Sequence, residues 1–290
     1  MHKKILDFLF KVKKLYMTSK LHLYYTIDKD YVRSLDISKA ADTLLLTIAF
    51  NNVEVIKLQI EKIRLFCQDN YCLLIADNST DEETRRKIAE LCKKEGVLYY
   101  PLPKQNPFNG YDPSASHGAA LNYVWKNVVQ NLDDIRYVML LDHDIFPSEV
   151  FSVNKMLGNA SFYGLIKERE LGWYLWPGFS CFDKYKINKD MNFLPSKYGD
   201  TGSAIYPRLY AKYDVKDIRR ASDVYVDLYM KSEHDNTDDM YVDQRNRIEI
   251  IDETWIHMIN AADWAGVGGM EKKFAEMMQW CKRQNGGNTE

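Results

Sequence analysis

Two carboxylates one residue apart, Asp142 and Asp144, close the run YVMLLDHDIFP with His143 between them. Five apolar or aromatic residues precede the pair, and Ile145 and Phe146 follow it, so the acids end a buried strand. In extended backbone residues i and i+2 project to one side, which predicts that Asp142 and Asp144 aim together while His143 faces away. Two like charges at a buried strand end repel unless something positive lies between them. A hard divalent cation that also carries substrate phosphates meets that need.

The elements that must position this pair follow from periodicity. TLLLTIAF, residues 43–50, is an apolar run of strand length, and Val53, Ile56, Ile60 and Ile63 then recur at helical intervals. YCLLIA, residues 71–76, repeats the pattern and ends in the turn Asp77, Asn78, Ser79, with acidic residues opening the next helix. GVLYY, residues 96–100, is a third strand, followed by a Pro, Asn and Gly-rich loop and the helix HGAALNYVWKNVV. RYVMLL is the fourth strand. Buried strands alternating with helices predict an α/β fold, Rossmann-like, with a mixed, mostly parallel sheet flanked by helices. Ligands of such sheets bind at the carboxyl ends of the strands, where the acidic pair lies.

Composition sets the bounds. The chain has 290 residues, 46% of them hydrophobic and 28% charged, enough for one sizeable core. A net charge of -2 gives no bias toward nucleic acid. The five cysteines form no C-x-x-C pair and are odd in number, which favours a reducing compartment over a disulfide scaffold. No apolar run of about 18 residues and no signal-peptide pattern is seen, so the expected home is the cytoplasm. Residues 1–40 are read as a basic amphipathic helical segment, residues 41–268 as the α/β domain, and residues 269–290 as a C-terminal helix and tail. The N-terminal segment, with Ile5, Phe8, Leu9 and Val12 on one face and Lys3, Lys4, Lys11 and Lys14 mostly elsewhere, either docks on its own domain or lies on an anionic membrane at the cytoplasmic face.

From Thr43 to Gly266 the order of these pieces resembles a GT-A-fold glycosyltransferase, similar to the family 2-like group that uses nucleotide-diphosphate sugars. The resemblance implies that Ala49, Phe50 and Asn51 after the first strand hold base and ribose, and that Asp77 after the second contacts the base. It places Gly118 and Asn122 beside the nucleotide and adds His143 to the nucleotide contacts. Asp142 and Asp144 would bind Mn²⁺ or Mg²⁺ and the donor diphosphate, with His257 as a third metal or diphosphate contact; His117 could touch phosphate from a helix start. Trp173, Trp176 and Phe179 would offer rings to a glycan or glycolipid acceptor, and Asp200, in the Gly-flanked turn YGDTGS, stands where the family often places an acidic residue near the acceptor. The implied activity is transfer of one sugar, UDP-linked, to an acceptor hydroxyl, with Asp200 as the base.

The competing enzyme class is a nucleotidyltransferase of related fold, which needs a Gly-rich loop after the first strand, whereas AFNNVEVIK has no glycine. The non-enzyme alternative is an inactive module that binds sugar nucleotide or glycan, against which the intact Asp142 and Asp144 argue. No Q-x-x-R-W signature of processive polymerases is present, and no G-x-G-x-x-G follows any strand. The acidic segment 235–244 reads as a lid or surface loop.

Overall fold

The computed structural model of the chain describes residues 12, 16, 19–25, 41–187, 190–227 and 247–259. The segment 235–244 and the helix and tail expected over 269–290 lie outside the described residues.

Strand β1 (Thr43–Ala49) is buried along its whole length. It leads into helix α1 (Val53–Phe66), capped by the Asn52 side chain, which accepts from the Val55 N–H. After β2 (Tyr71–Asp77), Asp81 caps α2 (Glu82–Glu95), whose acidic first turn and basic last turn match the helix dipole. After β3 (Leu98–Pro101), Asp112 caps α3 (Pro113–Asn127), with Pro113 at its first position, where no N–H is needed. Strand β4 (Tyr137–Asp142) ends on the first of the paired acids.

These four strands pair in parallel in the order β3-β2-β1-β4. The chain then forms β5 (Ile145–Pro147), the short α4 (Val153–Leu157) and an antiparallel hairpin of β6 (Phe162–Arg169) and β7 (Gly172–Asp183). Strand β7 lies antiparallel beside β4, and β8 (Arg219–Arg220) completes the sheet in the order β3-β2-β1-β4-β7-β6-β8. Only β7 runs against the other six strands of this sheet, so the mixed, mostly parallel sheet flanked by helices that the sequence predicts is the one observed. A second, antiparallel sheet joins β5, β11 (Trp255–His257), β10 (Arg247–Ile251) and β9 (Asp223–Asp227) in that order. His143 and Asp144 are the turn by which the chain leaves the large sheet and enters the small one.

Burial on both faces explains the continuous apolar runs. Leu44 and Leu46 of β1 join a core with Tyr123 and Val124 of α3, whereas Leu45 joins Ile56, Ile60 and Ile88 of α1 and α2 on the opposite face. Helix α3 is held very close to its neighbour: a Cβ on Gly118 would stand 2.4 Å from the Phe193 carbonyl oxygen.

The aromatic residues Trp173, Trp176 and Phe179 all lie within β7, the second strand of the hairpin. Asp200 is followed by a 3₁₀ turn at Ser203–Ile205, where Gly202 adopts φ 87° and turns the chain back.

Part of the N-terminal segment is described. Residues 19–24 are helical, with Leu21 and Tyr24 buried in the core beside α3. The Tyr24 and Tyr123 rings are 5.3 Å apart, and the Tyr25 hydroxyl accepts from Asn122 Nδ2 at 3.2 Å. This portion therefore docks on its own domain. Tyr24→Ala is expected to destabilise the fold by about 3 kcal/mol, the scale of a large ring removed from a core. A urea midpoint equal to that of the unmutated protein, at equal slope, would show that the docking contributes nothing.

Candidate active site

At the carboxyl ends of β1, β2 and β4 the surface opens into a cleft of about 590 Å³. Asp142, His143 and Asp144 all line it. The expectation that His143 faces away is corrected: β4 stops at Asp142, so residues 143 and 144 form a turn and the two-residue alternation of a strand no longer applies. Gln59, buried on α1, fixes this turn. Its Nε2 donates to the carbonyls of Asp142 (2.8 Å) and Ile145 (3.0 Å), and its Oε1 accepts from Thr47 Oγ1. Leaving such buried groups unpaired costs about 1–3 kcal/mol each.

Each acid faces its own histidine. His117 Nε2, on the first turns of α3, is 3.5 Å from Asp142 Oδ1, and His257 Nε2, on β11, is 3.6 Å from Asp144 Oδ1. The second of these is too long for a hydrogen bond, and neither carboxylate accepts a hydrogen bond from a described residue. Burial pushes the Asp142 carboxyl above the usual range; His117 opposes the shift and the nearby Asp144 charge adds to it. A half-buried pair that cannot comfortably hold two charges is suited to a cation.

His257 has a further partner. Its Nδ1 lies 2.7 Å from Glu249 Oε2 on β10. Burial would lower the His257 ring, but the Asp144 and Glu249 carboxylates outweigh it and hold the ring above its ordinary value. Burial likewise would raise Glu249, yet the hydrogen bond and charge of His257, with Lys167, hold it down at about 2. Glu249 is 2% exposed, its Oε1 has no hydrogen-bond partner among the described residues, and Lys167 Nζ stands 3.6 Å from that oxygen.

Among the described residues no three His, Cys, Asp or Glu groups converge as a preformed metal cage. The paired carboxylates of Asp142 and Asp144, with the oriented imidazole of His257 beside the second, nonetheless fit a hard divalent ion that keeps part of its water shell.

The nucleotide residues implied by the resemblance divide. Phe50 lines the cleft, and its N–H donates to His143 Nδ1 at 3.3 Å, which places the proton of a neutral His143 ring on Nε2. Asn51, at φ 46°, is occupied in holding Thr80 and Asp81, and Ala49 is fully buried. Asp77 does not reach the cleft: it is fully buried, accepting from the Ser79 N–H and the Tyr99 hydroxyl. Its neighbour Asn78 lines the cleft instead, in an amide network with Asn106, Asn109 and Ser116. Gly118 and Asn122 also lie outside the lining. Asn122 holds the 192–193 backbone, accepting from the Phe193 N–H, while Ser114, Ser116 and His117 present the start of α3 to the cleft.

Of the three rings of Trp173, Trp176 and Phe179, one reaches the cleft. Trp176 lines it, tilted over His257 with ring centroids 5.1 Å apart. Trp173 is stacked on Tyr210 in the core, and Phe179 is fully buried against Trp255. Asp200 lines the cleft. Its N–H donates to the Tyr174 hydroxyl at 3.2 Å, and Thr201 Oγ1 donates to the Ser114 carbonyl, tying this loop to the start of α3. Its flanking glycines make room for the protein's own rings, not for a sugar: a Cβ on Gly199 would meet Tyr174 at 2.4 Å and one on Gly202 would meet Pro177 at 2.6 Å.

Gln59, Glu249 and Asn78 escaped the sequence reading. A polar residue among Ile56, Ile60 and Ile63, and a charge between Ile248 and Ile250, were the available signals.

No family profile matches the sequence, and no curated protein matches it. Among solved structures, the chain is similar to mannosyltransferase PcManGT from Pyrobaculum calidifontis in complex with GDP-Man and Mn²⁺, at 10% identity and TM-score 0.36, covering 61% of this chain and 58% of that one. Mannosyltransferase Ktr4p from S. cerevisiae is similar at 11% identity and TM-score 0.41, over 71% of this chain and 78% of its own. Glucosyl-3-phosphoglycerate synthase from Mycobacterium tuberculosis, in complex with Mn²⁺, UDP and glucosyl-3-phosphoglycerate, is similar at 14% identity and TM-score 0.39, over 62% and 69%. These likenesses are distant, and the functional reading rests on the cleft's own residues.

Proposed function

We propose that this protein is a glycosyltransferase that moves a single sugar from a nucleotide-diphosphate donor, UDP-linked, to a hydroxyl of a glycan or glycolipid. The observation that carries this reading is the meeting, in one cleft, of Asp142, His143 and Asp144 with Asp200 and Trp176. Asp142 and Asp144, with His257 beside them, would hold Mn²⁺ or Mg²⁺. When bound, the ion offsets charge on the leaving diphosphate. The first turns of α3 and the Nε2–H of His143 offer positive ends and a donor to the same phosphates. Asp200 receives the acceptor's proton, and Trp176 offers a ring face to a sugar. The amide network at Asn78 and Asn109 takes the place expected of Asp77 on the base side. A glycolipid acceptor would bring the enzyme to the cytoplasmic face of a membrane, where the lysines of residues 1–14 suit an anionic surface. No helix among the described residues is long and apolar enough to cross that membrane.

A thermal-shift screen of nucleotide sugars with and without Mn²⁺ tests this. A donor at roughly 100 times its dissociation constant stabilises the native state by about 2.7 kcal/mol. Stabilisation by a UDP-sugar only with the ion, with slow donor hydrolysis, is the expected result. Release of pyrophosphate from a nucleoside triphosphate and a sugar phosphate would instead make the protein a nucleotidyltransferase, and binding without any hydrolysis or transfer would make it a binding module.

A further inference from the structure

We infer that Glu249, backed by Lys167, is a positioning residue that fixes which nitrogen of His257 faces the Asp144 carboxylate and the ion bound there. The inference rests on the metal reading of the cleft given above. His257 has two ring nitrogens in different surroundings. Nδ1 is 2.7 Å from Glu249 Oε2, and Nε2 is 3.6 Å from Asp144 Oδ1. A carboxylate accepts and cannot donate while ionised, so a neutral His257 hydrogen-bonded to Glu249 carries its proton on Nδ1 and leaves the Nε2 lone pair bare. That lone pair is on the side of Asp144. Register reinforces the arrangement, since Glu249 and His257 are direct partners across the antiparallel pair β10 and β11.

Glu249 is a costly way to fill this position if it only packs. It is 2% exposed on a strand whose neighbours Ile248 and Ile251 are fully buried. Among the described residues its Oε1 accepts no hydrogen bond, and Lys167 Nζ, 3.6 Å away, is shared with Asp223. Lys167 also stands 5.6 Å from the Trp176 ring, which tilts over His257. A carboxylate behind a ligating imidazole orients the ring and raises its basicity, and losing it typically costs 10–100-fold in metal affinity.

The test uses the full chain and two variants, Glu249→Gln, which keeps an acceptor oxygen, and Glu249→Leu, which has none. Nitrogen-15 shifts of the His257 ring, recorded without metal at a pH where the ring is neutral, report the tautomer and do not depend on the metal reading. Calorimetry with Mn²⁺ and UDP reports affinity. The expected result is an Nδ1–H ring in the unmutated protein and in Glu249→Gln, a mixed or Nε2–H ring in Glu249→Leu, and affinity falling from unmutated to Gln to Leu, by 10-fold or more at the end. Should Glu249→Leu fail to fold, the tautomer of the unmutated protein and the Gln affinity still decide. An Nε2–H ring in the unmutated protein, or affinity unchanged in both variants, overturns the inference. His257→Ala tells this failure from that of the underlying reading. If Mn²⁺ and UDP bind that variant as they bind the unmutated protein, His257 is no ligand and the metal reading of this residue falls first.

Discussion

Asp142→Asn and Asp144→Asn are each expected to abolish Mn²⁺-dependent binding of UDP while the protein stays folded. The carboxylates lie at the turn between the two sheets, 23% and 11% exposed, with no hydrogen bond from a described residue to either. Burial already pushes Asp142 upward, and Asp144 adds to that. Removing one charge of such a pair relieves the protein without ligand and deprives the ion of a hard ligand. Losing one of two hard ligands is expected to cost at least about 10²-fold in affinity, about 2.8 kcal/mol. Thermal melts should stay at or above the unmutated midpoint. Calorimetric titration of UDP with Mn²⁺ gives the answer, and equal affinities in all three proteins would end the metal reading.

The second large effect belongs to Asp200. Its backbone is fixed by the Tyr174 hydroxyl, and its Oδ1 accepts the Thr201 N–H, which leaves Oδ2 for an acceptor hydroxyl. Asp200→Asn keeps the shape and removes the proposed base, so turnover should fall by roughly 10²-fold or more, the scale of lost general-base catalysis. Donor and metal affinity should hold, because the ion's candidate ligands are on β4, β11 and the turn between β4 and β5. A retaining enzyme needs no such base, since the leaving diphosphate can take the proton. The anomeric configuration of the product distinguishes the schemes: retention excludes the base, and near-normal turnover in Asp200→Asn excludes this residue even where inversion is seen.

The parallel half of the fold was legible because its strands are buried on both faces and so read as unbroken apolar runs, each closed by polar turn residues. Asp142, Asp144 and Asp200 were legible as cleft residues for the related reason that strand ends and Gly-flanked turns face open space. Trp173 and Phe179 could not be told from Trp176 by composition. The register of β6 against β7 shifts between Gly164 and Ile166, which no alternation pattern announces. Asp77 misled because a carboxylate after a strand can as readily close its own turn, accepting from Ser79 two residues on, as meet a ligand. Glu249 and Gln59 act on residues far along the chain, so their roles appear only when the sheets are assembled.

The seating of the Asp200 loop bears on how the proposed transferase could change its acceptor. Gly199 and Gly202 lie against Tyr174 and Pro177 with no room for a methyl group, and both hold φ values that other residues rarely adopt. The path of this loop is therefore closed to gradual adjustment. A new acceptor has to be accommodated by exchanging side chains that stand on it or opposite it, such as Thr201 or Trp176, while the backbone that carries Asp200 stays where it is.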